Sequence, residues 1–359
     1  MGEGGGRVAS SSNDEVPRTW PPPPWTVPRT RAEMIAGHGI GAERSWTRVR
    51  QGMYLPRDVD VTPQVTALAE VRARPSATLS GATAARAWGH PWVAACVPEI
   101  VLVPRVPAEA SKRAAAGGQG DGITVITSSR RPVHGTERCV LSIDAAAAGA
   151  KGGSANGGGA EVSIPIASVV DVTIDCVAAL PDDEAIAFLD GALRAWGIGD
   201  QLRTWAGSSR RAGAKRMREL LDWADWRAES RPESLLRTKL RRAGQGQWVP
   251  QFMVNVASGK RWVDLGDPDY RIDLEFLGQG HWQDAEARRA DAQRVNELRE
   301  VGWTIIEVTI LDVFRDFDQL LERIEQHRRR IDAERARDLA WRRNKTVEAA
   351  RRIVNRWFS

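Results

Sequence analysis

The stretch Asp269-Tyr-Arg-Ile-Asp-Leu-Glu-Phe-Leu-Gly-Gln-Gly-His-Trp282 packs three carboxylates and a histidine into a strand-like run that ends in glycines. Asp264 lies in the candidate strand before it and Glu275 within it, with ten residues between them. A hairpin of that reach can set two carboxylates side by side, the oxygen-rich arrangement that a hard divalent cation such as Mg²⁺ requires. Glu233, on the preceding helix, could supply a third carboxylate. An ion held there would polarise a phosphodiester and lower the pKa of an attacking water. Asp273 stands two residues before Glu275, so it should point to the same sheet face, where it either joins the cluster or repels it. A bland reading stands beside this one: acidic residues near strand ends are common, and pairs at loop spacing arise by chance.

The elements that must position these groups can be read from periodicity. Glu233–Ala243 is an amphipathic helix closed by Gly244. Candidate strands follow at Phe252–Val256, Arg261–Leu265 and Tyr270–Leu277, then a charged helix at Ala285–Val301 and an apolar strand at Thr304–Thr309. The order is helix, three strands, helix, strand. Asp318–Phe358 reads as a long charged helix whose interspersed acids favour a solvated face over a nucleic-acid arm.

Upstream, residues 1–29 are rich in Gly, Ser and Pro and read as a disordered or polyproline arm. Thr30 followed by Glu33 is a capping box that starts a short helix ending at Gly37. A second helical turn near Ile40–Trp46 and a hairpin around Gly52 complete the outline of a small winged helix over residues 30–60. Arg44, Arg48 and Arg50 are its basic residues best placed for phosphate contacts, and they could equally be solvated wing residues. Residues 61–228 form a mixed α/β middle: Ala-rich helix from Thr62 to about Trp92, strands at Glu99–Val103 and Ile123–Ile126, an Ala/Gly insert near 144–160, then helices at Ile166–Ala179, Asp182–Trp196 and Ala212–Trp226. The expected fold class is therefore α/β, or α+β, in several domains.

Bulk composition narrows the function classes without choosing one. The 359 residues exceed a single small core, and 51 basic against 46 acidic residues leave a net charge of +5, so only a local basic patch could argue for nucleic acid. Three cysteines, Cys96, Cys139 and Cys176, are too few and too far apart for a disulfide framework or a CxxC zinc site, which fits a reducing cytosol. No apolar run is long enough to span a bilayer, and the N-terminus lacks the apolar stretch of a signal peptide. A cytoplasmic protein with no membrane partner is expected. His38, His90, His134 and His327 have no ligand-spaced partner, and Gly278-Gln-Gly280 lacks the context of a phosphate-binding loop.

The order Glu233, Val263-Asp-Leu265, Asp273-Leu-Glu-Phe-Leu-Gly278, His281, Arg289-Ala-Asp291 and Gly302-Trp-Thr-Ile-Ile306 resembles an actinobacterial domain family with the restriction-endonuclease-like fold, similar to very-short-patch repair endonucleases. Thr30–Tyr54 resembles, more briefly, the winged-helix start of abortive-infection-type antitoxins and transcriptional regulators. The resemblance implies a C-terminal α/β/α domain over 229–325; the charged helix, placed at 326–359, follows it. It implies Asp264 and Glu275 as Mg²⁺ ligands, Glu233 as the helix glutamate and His281 as a general base. DNA is the implied partner, with a toxin as a second. The departure is Leu277: nucleases of this fold usually carry Lys there, and this family often carries Asp. A DNA-associated protein with a partly retained phosphodiesterase site is one expectation. A non-catalytic, antitoxin-like transcriptional regulator is the other.

Overall fold

The computed structural model describes residues 27–104, 123–124, 127–128, 134–143, 160–246, 248–277 and 285–357. The arm at 1–26, most of the Ala/Gly insert, and Gly278 through Asp284 with His281 lie outside the described residues. Helices and strands mix in several sheets, so the chain is an α/β protein of more than one compact unit. One unit holds the described residues up to Leu180 together with Ile198–Met217; the other holds Pro181–Gly197 and everything from Arg218 onward.

The first unit begins with β1 (Arg29–Thr30) and α1 (Arg31–His38). Thr30 and Glu33 cap that helix reciprocally: the Glu33 N–H donates to the Thr30 hydroxyl at 3.2 Å, and the Thr30 N–H donates to Glu33 Oε2 at 2.7 Å. A 3₁₀ turn at Ala42–Ser45 leads into β2 (Trp46–Arg50) and β3 (Met53–Pro56), which pair antiparallel across Gly52 at φ 80°. With β1 they make a three-stranded sheet in the order β1-β3-β2. After α2 (Pro63–Ala73) come β4 (Thr78–Ser80), α3 (Gly81–Ala87), β5 (Glu99–Pro104), β6 (Ile123–Thr124), β7 (Thr127–Ser128), β8 (Thr136–Ile143) and β9 (Ala160–Ala167). Their sheet runs β6-β5-β4-β9-β8, with β7 paired to β5.

Two expected helices give way to strand in this unit. Thr78-Leu-Ser80, expected to be helical, is a buried central strand whose Leu79 pairs with Val101 on one side and Ile166 on the other, so its neighbours override Ala-rich propensity. Ile166, expected in a helix, belongs to β9. The helix that follows, α4 (Val169–Ala179), starts where the Ser168 hydroxyl accepts the Asp171 N–H at 3.2 Å.

The second unit opens with α5 (Asp182–Trp196); α6 (Gly199–Ser208) returns to the first, and α7 (Ala214–Leu221) spans the division. Sequence periodicity placed α5 in a middle region. It packs instead on α8 (Arg231–Arg242), because its acids match that helix's cations: Glu184 bonds Arg231, Asp183 lies 2.8 Å from Arg242, and buried Asp190 lies 2.8 Å from Arg237. The sheet consists of β10 (Val249–Val256), β11 (Gly259–Asp267), β12 (Ile272–Phe276) and β13 (Thr304–Val308), in that order. The first three run antiparallel and β13 runs parallel to β12, with α9 (Ala285–Glu300) as the crossover. Leu235, Leu236 and Leu240 of α8 meet Leu265, Ile272, Leu274, Ile306 and Val308 of the sheet in one core.

The chain closes with α10 (Ile310–Phe314) and α11 (Phe317–Trp357). The boundary expected at 325/326 is absent, since α11 is one helix whose Leu320 and Ile324 join the core. Arg328 continues the packing past that point. It bonds Asp267 at 2.7 Å and the Gln245 carbonyl at 2.8 Å, and lies over the Trp248 and Tyr270 rings.

Candidate functional site

The sheet of the second unit is irregular where its acids meet. The β11–β12 ladder pairs Asp267 with Ile272 and Gly266 with Asp273, and its continuation would set Asp264 opposite Glu275. Like charges directly opposite one another destabilise a strand pair. The ladder stops there and the carboxylates take the backbone donors: Phe276 N–H donates to Asp264 Oδ2 at 3.1 Å, and Leu265 N–H to Asp273 Oδ1 at 3.4 Å. On the other side of β11, Gln251 lies between the paired residues Pro250 and Phe252, opposite Asp264. Its φ of 47° is in the left-handed region, which costs a non-glycine residue about 1–3 kcal/mol. Its side chain hydrogen-bonds Asp264.

Glu233 reaches this cluster from the first turn of α8. Ser230 is the N-cap, its hydroxyl accepting the Glu233 N–H at 3.3 Å and donating to Glu233 Oε1 at 2.7 Å. The Glu229 N–H donates to Glu233 Oε2 at 2.9 Å, so the carboxyl is fixed by its own helix start. Burial, and then the Asp264 and Glu229 charges, push Glu233 up to about 7 despite these bonds. Burial and the Glu275 charge push Asp264 up to about 6. Asp273, with no exposed surface, is held well above the ordinary carboxyl range by burial and by Glu275 and Asp264. The structure thus brings together Glu233, Asp264 and Glu275, the three acids singled out in the sequence, and settles Asp273 among them.

Sequence reasoning missed two residues of the site, Gln251 and Arg294. Arg294 on α9 ion-pairs with Glu275 and with Asp291, at 3.0 Å, and donates to the Trp262 carbonyl at 3.2 Å. Burial alone would lower this guanidinium, but Glu275 and Asp291 raise it above arginine's ordinary value. The signal available was the spacing of Asp291 and Arg294, three apart on one helix face after the sheet. Leu277 ends the strand with its N–H on the Val308 carbonyl at 3.0 Å and its side chain half exposed.

All the donors here are oxygens, which suits a hard cation. Asp273 Oδ2 and Glu275 Oε2 are buried with no hydrogen-bond partner. The two carboxyls lie within hydrogen-bond reach of each other, and the proton that burial and its acidic neighbours keep on Asp273 can be donated to Glu275. A shared proton or a cation would satisfy both. In donor chemistry the residues fit Mg²⁺. Among the described residues, no group of three or more aspartates, glutamates, histidines or cysteines is placed so that it could hold a metal ion, and Glu275 is engaged by Arg294.

In the first unit, Arg44 and Arg48 are exposed on the 3₁₀ turn and β2. Arg50 does not share that position: it ion-pairs with Glu70 of α2.

Fold and site together define an α/β protein with a buried acidic cluster on a mixed, helix-flanked sheet. No family model matches the chain, and no solved structure matches it. Two uncharacterized proteins of Mycobacterium tuberculosis, from two strains, are each 35% identical to it over 147 residues, covering 40% of this chain and 54% of theirs. The chain spans about half the length of the curated relatives it matches.

Proposed function

We propose that the second unit is a restriction-endonuclease-like domain that acts on the DNA backbone with a partly retained, metal-dependent phosphodiesterase site. The observation that carries this reading is the cluster of Asp264, Asp273 and Glu275, with two buried carboxyl oxygens that a shared proton or a cation would satisfy. Asp264 and Glu275 would hold Mg²⁺, with Asp273 beside them and Glu233 closing the cluster from the helix. When bound, the ion supplies charge for the phosphodiester and lowers the pKa of a nearby water. His281 is the proposed general base. Arg44 and Arg48 are the proposed phosphate contacts of the first unit.

Leu277 favours a second reading, in which the domain binds without cutting and the protein is an antitoxin-like transcriptional regulator with DNA or a toxin as partner. A half-exposed leucine neither orients water nor binds metal.

Plasmid cleavage by the full chain in Mg²⁺ or Mn²⁺, beside an Asp264→Ala, Glu275→Ala variant, separates the readings. Nicking that disappears in the variant is the expected result for the nuclease. Intact plasmid in every lane, together with DNA retained in a gel-shift assay, gives the regulator.

A further inference from the structure

Arg294 has a position that a folding role alone does not require. Its guanidinium touches Glu275 and so places one positive charge against the carboxylate whose other oxygen is buried without a partner. Its remaining donors are already used: Nε and Nη2 lie 3.2 and 3.0 Å from Asp291 Oδ1, and Nη1 lies 3.2 Å from the Trp262 carbonyl. Arg294 could therefore leave Glu275 and stay hydrogen-bonded, whereas Glu275 without Arg294 needs a proton shared with Asp273 or another cation in its place.

We propose that Arg294 is the internal counter-ion of the acidic cluster, holding Glu275 in the cation-free protein and competing with a divalent cation for that carboxylate. This rests on the metal-site reading above. Arg294 is a positioning residue: it sets which cation Glu275 faces. A guanidinium stays charged across the working pH range, so the competition is removed only by moving or replacing the side chain.

The test is Mn²⁺ titration of the full chain by calorimetry, for wild type, Arg294→Gln and Arg294→Lys, with melting of each in EDTA and in Mn²⁺. Loss of a unit charge a few ångströms from the ligand should tighten Mn²⁺ binding by at least about tenfold in Arg294→Gln. The same variant should melt lower than wild type in EDTA and gain more from Mn²⁺, a pattern that a purely structural arginine would not produce. Arg294→Lys keeps the charge without the fork that Asp291 holds, so its affinity should fall between the two. It reads the same competition if the glutamine variant does not fold. Mn²⁺ binding that is unchanged or weaker in the variants overturns the proposal while leaving the metal site standing. An absence of Mn²⁺ uptake by all three proteins overturns the metal-site reading itself, and the competition with it.

Discussion

Glu233 shows at the residue scale what the cluster costs. Its carboxyl titrates at about 7 in the folded protein against about 4.5 for an ordinary glutamate, so between those values the folded state holds a proton that the unfolded chain has lost. Stability must then fall as pH rises from about 4.5 to 7, by up to roughly 3 kcal/mol, with the full penalty present above pH 7. Asp264, raised to about 6, adds a loss of the same sign over a lower window. We expect Glu233→Gln to flatten this slope and to stabilise the protein at pH 8 by about 1–2 kcal/mol, because the amide keeps one acceptor for the Ser230 and Glu229 donors. Urea midpoints at pH 5, 6, 7 and 8 check it. A variant weaker than wild type at every pH would mean that the helix-start hydrogen bonds outweigh the buried charge.

At the scale of elements, the contact between α5 and α8 depends on Asp190 and Arg237. Asp190 is fully buried, and Arg237 divides its donors between that carboxylate and the Trp223 carbonyl. Asp190→Ala would leave a guanidinium buried without its partner, at a cost of about 3–5 kcal/mol in chemical denaturation. In the first unit, Gly81 opens α3 at φ 69°, and a Cβ there would lie 2.4 Å from the Pro98 carbonyl oxygen and 2.5 Å from the Ile100 nitrogen, both backbone atoms. Gly81→Ala should therefore cost more than about 2 kcal/mol, combining left-handed strain with a clash that no rotamer relieves. An unshifted midpoint would show that this strand-to-helix corner yields easily.

The same elements show what was legible in sequence. The strands at 249–256, 259–267 and 272–276 were readable because runs such as Val263-Asp-Leu265 and Ile272-Asp-Leu274 alternate, which fixes which side chains face the core. Asp264 and Glu275 came with them as a pair that a hairpin of that length can bring together, while the register that sets them near each other was not legible. β4 was not readable, because three residues have no period and Thr78-Leu-Ser80 is a strand only through its neighbours on both sides. Arg294 was hidden for a similar reason: its partner Glu275 lies 19 residues away, and only the parallel return to β13 brings α9 back over the cluster.

For the whole molecule, 51 basic residues against 46 acidic ones make total charge a weak guide, so DNA affinity, if the proposal holds, must come from particular exposed cations. Two candidate sources differ in kind. Several arginines of α11 are paired within the helix: Arg330 faces Glu334 at 3.9 Å, Arg335 faces Asp332 at 3.9 Å, and Arg342 faces Asp338 at 3.0 Å. Arg44 and Arg48 stand exposed at the start of a strand, with no ion pair among the described residues. Each phosphate contact contributes about −0.9 to the slope of log affinity against log salt concentration. Arg44→Gln with Arg48→Gln should therefore make that slope shallower by about 2, whereas Arg330→Gln with Arg342→Gln should leave it unchanged. Fluorescence anisotropy of a labelled duplex on the full chain, from about 50 to 200 mM salt, reads both slopes. The reverse result would make α11 the nucleic-acid arm, with phosphates replacing its acidic partners, and would leave the N-terminal hairpin a solvated surface.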